Sequence, residues 1–310
     1  VSRERYAYLG PEGTFTDAAL RAMTRGRDIE AIPVVDVPAA LTAVRTGEAD
    51  YAVVAIENTV EGGVTATLDT LAEGAPLMIV EEIVVPVAFE LVAREPMTLD
   101  EVARISAHSH GLAQCRRWIA ANLGEVIQIS ATSNAAAAVA LADGTADFDA
   151  ALAPPGTAER LGLALIADGV ADNTTAATRF VRVARPGPLP APTGADKSTL
   201  VVHLPTDRSG ALLEMLEQFS ARGINLSRIE SRPRVDKVGE YSFSIDALAH
   251  LAEARFAEAM VGLKRTCPLV VFLGSYPMAG GVLTPVQEGT SDADFADAHA
   301  WVEALRRGEV

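Results

Sequence analysis

The sequence predicts an α/β protein: two similar α/β lobes first, then a smaller unit of strands and helices. Three observations predict it. A proline-rich break, 184–197, divides the 310 residues. A faint internal repeat lies before the break. After it, apolar spacing alternates between strand and helix periods. Prolines 186, 188, 190 and 192 with Gly187 and Gly194 make the break a semi-rigid, extended linker. The expected parts are 1–185, the linker 186–197, a unit at 198–276 and a tail at 277–310.

The repeat justifies the first part. A shift of 97 positions lays Ala39, Ala40, Ala43, Gly47, Ala49 and Asp50 on Ala136, Ala137, Ala140, Gly144, Ala146 and Asp147. Each copy reads as an Ala-rich helix, a glycine stop, an Ala-Asp turn and a strand, at 51–56 and 148–153. Asp36 and Ser133 take equivalent N-cap positions. Earlier in each copy a strand (6–9, 105–107) runs into a loop (10–14, 108–111) and a helix opening near Thr16 or Leu112. Two such lobes bind ligand in the cleft between them, at strand ends and helix N-termini. The loops at 10–16 and 108–114 would then face each other across one site.

The later part follows a ferredoxin-like β-α-β-β-α-β order. Residues 199–204 alternate as a strand. Leu212, Leu213, Leu216 and Phe219 mark the apolar face of a helix at 209–222, stopped by Gly223. Strands at 224–232 and 241–245, a helix at 251–264 and a strand at 269–273 complete it. The tail predicts a helix over 292–307, with Phe295, Ala298, Val302 and Leu305 on one face.

Composition excludes several classes. With 41 acidic and 26 basic side chains the formal charge is -15, so nucleic acid is not an expected partner. A small anionic substrate requires a local positive site. The greasiest stretch, 77–93, holds Glu81, Glu82, Pro86 and Glu90, so no membrane span is expected. The N-terminus leads straight into a strand, with no secretory core. Cys115 and Cys267 form no CxxC pair, which excludes zinc ribbons and disulfide scaffolds and fits a reducing cytoplasm.

Four segments carry candidate chemistry. Gly10-Pro11-Glu12-Gly13-Thr14-Phe15-Thr16 lacks the third glycine of a dinucleotide loop and the lysine of a P-loop, so it is a turn or a ligand contact. Glu57-Asn58-Thr59 crowds hydrogen-bonding groups at a strand end. His108-Ser109-His110 lacks further ligands at metal spacing. Thr178-Arg179-Phe180 offers an arginine as counter-charge for a carboxylate, or a surface arginine beside a turn. Neither GxSxG nor HExxH occurs.

In this order YLGPEGTFT, AIENTVEGG, the segment ending LAQC, and TRF resemble prephenate dehydratase. GALLEMLEQFSARGINLSRIESRP resembles the regulatory ACT domain attached to that enzyme. The resemblance spans 6–276. It implies a two-lobed, periplasmic-binding-protein-like catalytic domain followed by an ACT domain. It also implies loss of carbon dioxide and water from prephenate, giving phenylpyruvate for phenylalanine synthesis, with no metal or cofactor.

The implied catalytic residues are Thr178, tied to hydroxyl departure, Arg179, which holds a carboxylate or orders its loop, and Glu57, as an acid or a partner of Arg179. Thr14, Phe15, Asn58, Thr59, His108, Gln114, Ser133 and Phe180 are the expected substrate-binding residues. For L-phenylalanine as feedback effector they are Gly210, Ala211, Leu212, Leu213, Asn225, Glu230, Ser231, Arg232 and Pro233. ACT domains pair side by side, so a homodimer or homotetramer is expected. His110 stands where the family usually has glutamine. Two alternatives stay open: the same scaffold acting on arogenate, and a non-catalytic amino-acid sensor.

Overall fold

A computed structural model describes residues 3–60, 62–204, 208–233 and 241–309. The chain divides into two compact units. The first comprises Val1–Thr67 and Ile83–Phe180, the second Leu68–Glu82 and Val181–Val310.

The first lobe contains β1 (Glu4–Leu9), α1 (Phe15–Met23), β2 (Ile29–Val34), α2 (Val37–Thr46), β3 (Tyr51–Asn58) and the short β4 (Gly62–Gly63). Helix α3 (Thr65–Ala72) and β5 (Met78–Pro86) follow. The second lobe contains β6 (Glu90–Ala93), β7 (Arg104–Ala107), α4 (Ser109–Gln114), α5 (Arg116–Asn122), β8 (Ile127–Ser130), α6 (Asn134–Asp143), β9 (Ala150–Ala153), α7 (Thr157–Leu161) and β10 (Ala164–Ala167). The chain then returns as β11 (Ala177–Ala184).

The repeat in the sequence is a repeat in the fold. Parallel strands run β2-β1-β3 in one sheet and β8-β7-β9 in the other. Helices α2 and α6 are related by the 97-residue shift, from the caps Asp36 and Ser133 to the left-handed stops Gly47 and Gly144. Asp50 and Asp149 play one further role in both lobes. Each carboxylate accepts from the backbone N–H of an arginine that opens the neighbouring strand, Arg5 at 2.9 Å and Arg104 at 2.8 Å. Beyond the parallel strands, the sheets are completed by exchanged segments. β11, which comes after the second lobe, lies beside β3, and β6, which precedes β7, lies beside β9.

The cores follow from this. Tyr6, Tyr8, Ala19, Leu20, Val53 and Phe180 pack the first lobe. Phe89, Leu91, Ile105, Cys115, Ile119 and Leu152 pack a cluster of the second. Phe15 packs against both clusters, with its ring edge-on to Phe89 at 5.6 Å.

The second unit contains β12 (Asp196–His203), α8 (Ala211–Ser220), β13 (Leu226–Pro233), β14 (Tyr241–Ala247), α9 (Ala254–Thr266), β15 (Leu269–Pro277) and α10 (Asp292–Arg306). The antiparallel sheet has the order β13-β14-β12-β15, as a ferredoxin-like chain path requires. Leu200, Val202, Phe243 and Ile245 face Met215, Phe219, Phe256 and Leu263 of α8 and α9.

The opposite face is polar and buried. Thr199 donates to Asp246 at 2.7 Å, and Arg228 donates to the same carboxylate at 2.9 Å. Residues 68–82 belong to this unit. Lys197 Nζ, 9% exposed, lies 2.9 Å from Glu82, 1% exposed, which also accepts from the Ala279 N–H. Arg232 grips Asp69, and Arg182 grips Glu81.

Strand β12 starts at Asp196, inside the stretch read as linker. The tail helix forms where expected, but its intended inner face is largely open, with Val302 and Leu305 exposed. Among the described residues no helix is long and apolar enough to cross a membrane.

Candidate active site

A cavity of about 330 Å³ in the first unit is walled by both lobes. Leu9, Gly10, Pro11, Thr14, Phe15, Thr16 and Val35 form one wall, and His108, Thr132, Ser133, Asn134, Ala135 and Pro154 the other. Such a volume suits a small ligand.

Helix starts dominate both walls. Thr14 Oγ accepts from Asp17 N–H at 3.2 Å, and Ser133 Oγ from Ala136 N–H at 2.9 Å. These caps fix where the remaining N–H groups of α1 and α6 point, and helix starts attract anions. His108 caps the short α4 through Nδ1, which accepts from His110 N–H at 3.3 Å. The His108 N–H donates to Asn134 Oδ1 at 2.9 Å, which ties α4 to α6. Gly111 permits that approach, because a Cβ there would sit 2.6 Å from Asn134 Oδ1. Gly13 has φ +86° and its would-be Cβ space is filled by the Arg160 guanidinium, so a side chain there is excluded twice over.

A second cluster joins the end of β3 to the start of β11. Asn58 Nδ2 donates to Thr178 Oγ1 at 3.2 Å. Asn58 Oδ1 accepts from Val60 N–H at 2.8 Å, which orients the amide. Thr59 clasps Ala177 twice: its N–H donates to the carbonyl and its Oγ1 accepts from the N–H, both at 3.0 Å. Arg179 Nε donates to Glu57 Oε2 at 3.0 Å. The Arg179 side chain is only 7% exposed, so this pair is shielded and stronger than a surface bridge. Thr178 is buried too, and its hydroxyl accepts from Asn58 while keeping its own proton to donate.

Thr14, Phe15, His108 and Ser133 therefore line the cavity, and Glu57, Asn58, Thr59, Thr178 and Arg179 form the second cluster. The cluster lies at the carboxyl end of β3, beside the parallel β1 that feeds the 10–16 loop. Two expected residues stand elsewhere. Phe180 is packed into the core of the first lobe, where a large aromatic at the centre of a strand belongs. Gln114 closes α4 and is not among the cavity-lining residues; its carbonyl accepts from Asp172 N–H at 2.8 Å. His110 is exposed, its ring 5.0 Å from that of His108.

Sequence reasoning missed Thr132 and Asn134. The available signal was Thr132-Ser133-Asn134 directly before an alanine helix, three hydrogen-bonding side chains where one suffices as a cap.

In the second unit Gly210, in the left-handed conformation, precedes α8, with Ala211 buried and Leu212 and Leu213 exposed. Asn225 is exposed just before β13, and its carbonyl accepts from Leu248 N–H. Glu230, Ser231, Arg232 and Pro233 end β13. Arg232 holds Asp69 with Nε at 2.9 Å and Nη2 at 3.1 Å.

Comparison with known proteins adds three findings. A family model described as prephenate dehydratase matches residues 6–188. A prephenate dehydratase of Amycolatopsis methanolica is 44% identical over 306 residues, 98% of this chain and 99% of its own. The solved structure of prephenate dehydratase from Arthrobacter aurescens in complex with L-Phe is 49% identical, with a TM-score of 0.92 over 98% of this chain and 99% of that one. A quorum-quenching acylase, GqqA, is more distant, at 28% identity and TM-score 0.78 over 89% and 99% of the two chains.

Proposed function

The chain belongs to the prephenate dehydratase family, and on that premise we propose that its first unit converts prephenate to phenylpyruvate under feedback by L-phenylalanine bound to its second. In this reaction the bond from the ring to its carboxylate breaks and carbon dioxide leaves. That electron pair enters the ring, the C–O bond on the opposite ring carbon breaks, and the hydroxyl departs as water after gaining a proton. Aromatisation supplies the driving force, so the protein has to position a dianion and assist the hydroxyl.

Each role has a residue. The starts of α1 and α6 receive the anion, with Thr14 and Ser133 setting their geometry. Thr178 donates to the departing hydroxyl as one member of a proton relay, its orientation set by Asn58. Arg179, held by Glu57, keeps the TRF segment in place and supplies positive charge. Phe15 shapes the cavity wall. The Asn58–Thr178 hydrogen bond carries this reading, because it presents a hydroxyl donor of fixed orientation at a strand end.

L-phenylalanine would bind near the start of α8 and the end of β13. The solved relative with L-Phe supports the effector. Exposed Leu212, Leu213, Ile229 and Tyr241 leave apolar surface for pairing of second units, so a homodimer or homotetramer follows in this reading. Two buried, unpaired thiols suit a cytoplasmic setting. The parts 1–185, 186–197, 198–276 and 277–310 then serve as catalytic domain, linker, ACT domain and tail.

Phenylpyruvate formation from prephenate, with and without L-phenylalanine, tests the reading. Turnover suppressed by phenylalanine is expected. Turnover indifferent to it would remove the feedback claim, and turnover of arogenate alone would reassign the substrate.

A further inference from the structure

Helix α3 is the shortest physical connection between the ESRP strand end and the catalytic cluster. It has eight residues, about 12 Å of helix. Near its start, the Thr67 hydroxyl donates to the carbonyl of Ala55 on β3, two residues before Glu57. Just before the helix, Val64 N–H donates to the Ile56 carbonyl at 2.9 Å. Two residues beyond Thr67, roughly 200° around the helix, Asp69 points the other way. Both its carboxylate oxygens are taken by Arg232, Oδ1 by Nε at 2.9 Å and Oδ2 by Nη2 at 3.1 Å. Glu230, two residues before Arg232 on β13, approaches the same guanidinium at 3.6 Å.

We propose that the Asp69–Arg232 pair is the coupling contact through which an amino-acid effector at the end of β13 sets the geometry of Glu57 and Asn58. The proposal rests on the feedback reading above and assigns it a route. Two carboxylates, Asp69 and Glu230, share one arginine, so an effector bearing its own ammonium and carboxylate alters how that arginine is divided. A fork-on-carboxylate bond is directional, and a change in it turns or shifts α3 as a body. Because α3 is bonded to β3 on its other side, the shift reaches the strand that orients Arg179 and Thr178. Effector and substrate would then bind with reciprocal coupling.

Asp69→Asn tests this, since it keeps the shape and removes the charge, and Asp69 has no place in the catalytic cluster. L-phenylalanine binding by calorimetry and its inhibition of prephenate turnover are measured on the full chain, with Asp69→Glu as the conservative control. The expected result is phenylalanine binding and basal turnover within about threefold of the parent, with roughly fivefold or more of the substrate–effector coupling lost. Asp69→Glu should restore most of that coupling. Asp69→Asn inhibited as fully as the parent overturns the proposal and leaves the feedback reading standing. So does a loss of coupling matched by equal loss of phenylalanine binding, which would make Asp69 a support of the effector site. A parent that binds no phenylalanine overturns both.

Discussion

The first lobe ends its central strand β3 in Glu57-Asn58-Thr59, whereas the second ends the equivalent β9 in Ala153 and runs into Pro154-Pro155-Gly156. The scaffolds are alike down to the Arg5–Asp50 and Arg104–Asp149 pairs that lock strand to turn. The difference lies in which groups stand at the strand ends. One lobe presents side chains able to donate, accept and pair. The other contributes chiefly the capped starts of α4 and α6. A duplicated scaffold thus separates reacting groups from anion-holding groups, and each can vary without disturbing the other.

The largest effect that tests this division is at the first lobe's cluster. Thr178→Ala should lower kcat by roughly 10²–10⁴-fold, the range of assisted proton transfer, while substrate still binds. Steady-state kinetics with a ligand-binding measurement would show it, and a change confined to KM would move Thr178 from reaction to binding.

The equivalent caps give a smaller and more pointed comparison. Ser133→Ala and Asp36→Ala should each cost about 1 kcal/mol in urea unfolding, because each removes one helix cap. Only Ser133 lines the cavity, so only Ser133→Ala should also raise KM. Equal KM values would mean that the second lobe does not hold the anion in this way.

The smallest effect concerns a group that only the second lobe's core carries. Burial pushes the Cys115 thiol from an ordinary 9.0 to about 12. Below pH 9 the folded and unfolded thiols both keep their proton. Above it the unfolded thiol ionises and the folded one does not, so stability falls with rising pH from about pH 9. Cys115→Ala should flatten that fall when unfolding free energies at pH 7.5 and 9.5 are compared.

The features legible in the sequence were those written in local chemistry. Asp36 and Gly47, and Ser133 and Gly144, bracket helices by cap rules alone, and the 97-residue shift revealed their kinship. Strand-end polar residues marked the cluster at Glu57–Thr59. What escaped was decided by partners far along the chain. Asp196, Lys197, Ser198 and Thr199 look like linker because they are polar, yet all four are buried in β12, where Glu82 and Asp246 satisfy Lys197 and Thr199. Phe180 adjoins Thr178-Arg179 in sequence but belongs to the packing of its lobe, since neighbouring residues on a strand face different surroundings. Residues 68–82 gave no sign of belonging with the second unit, because Asp69 and Glu82 meet Arg232 and Lys197 only after folding.

The buried Lys197–Glu82 bond bears on how this gene could be shortened. A cut at the proline-rich stretch would appear to release a self-contained catalyst. It would instead leave Glu82, a carboxylate with almost no access to water, without its ammonium and without the Ala279 N–H. An orphaned charge of that kind costs about 3–5 kcal/mol, a large part of what holds any domain together. The two halves of this polypeptide are therefore inherited as a set, and a truncated version would need a neutral residue at 82 before it could be expected to survive alone.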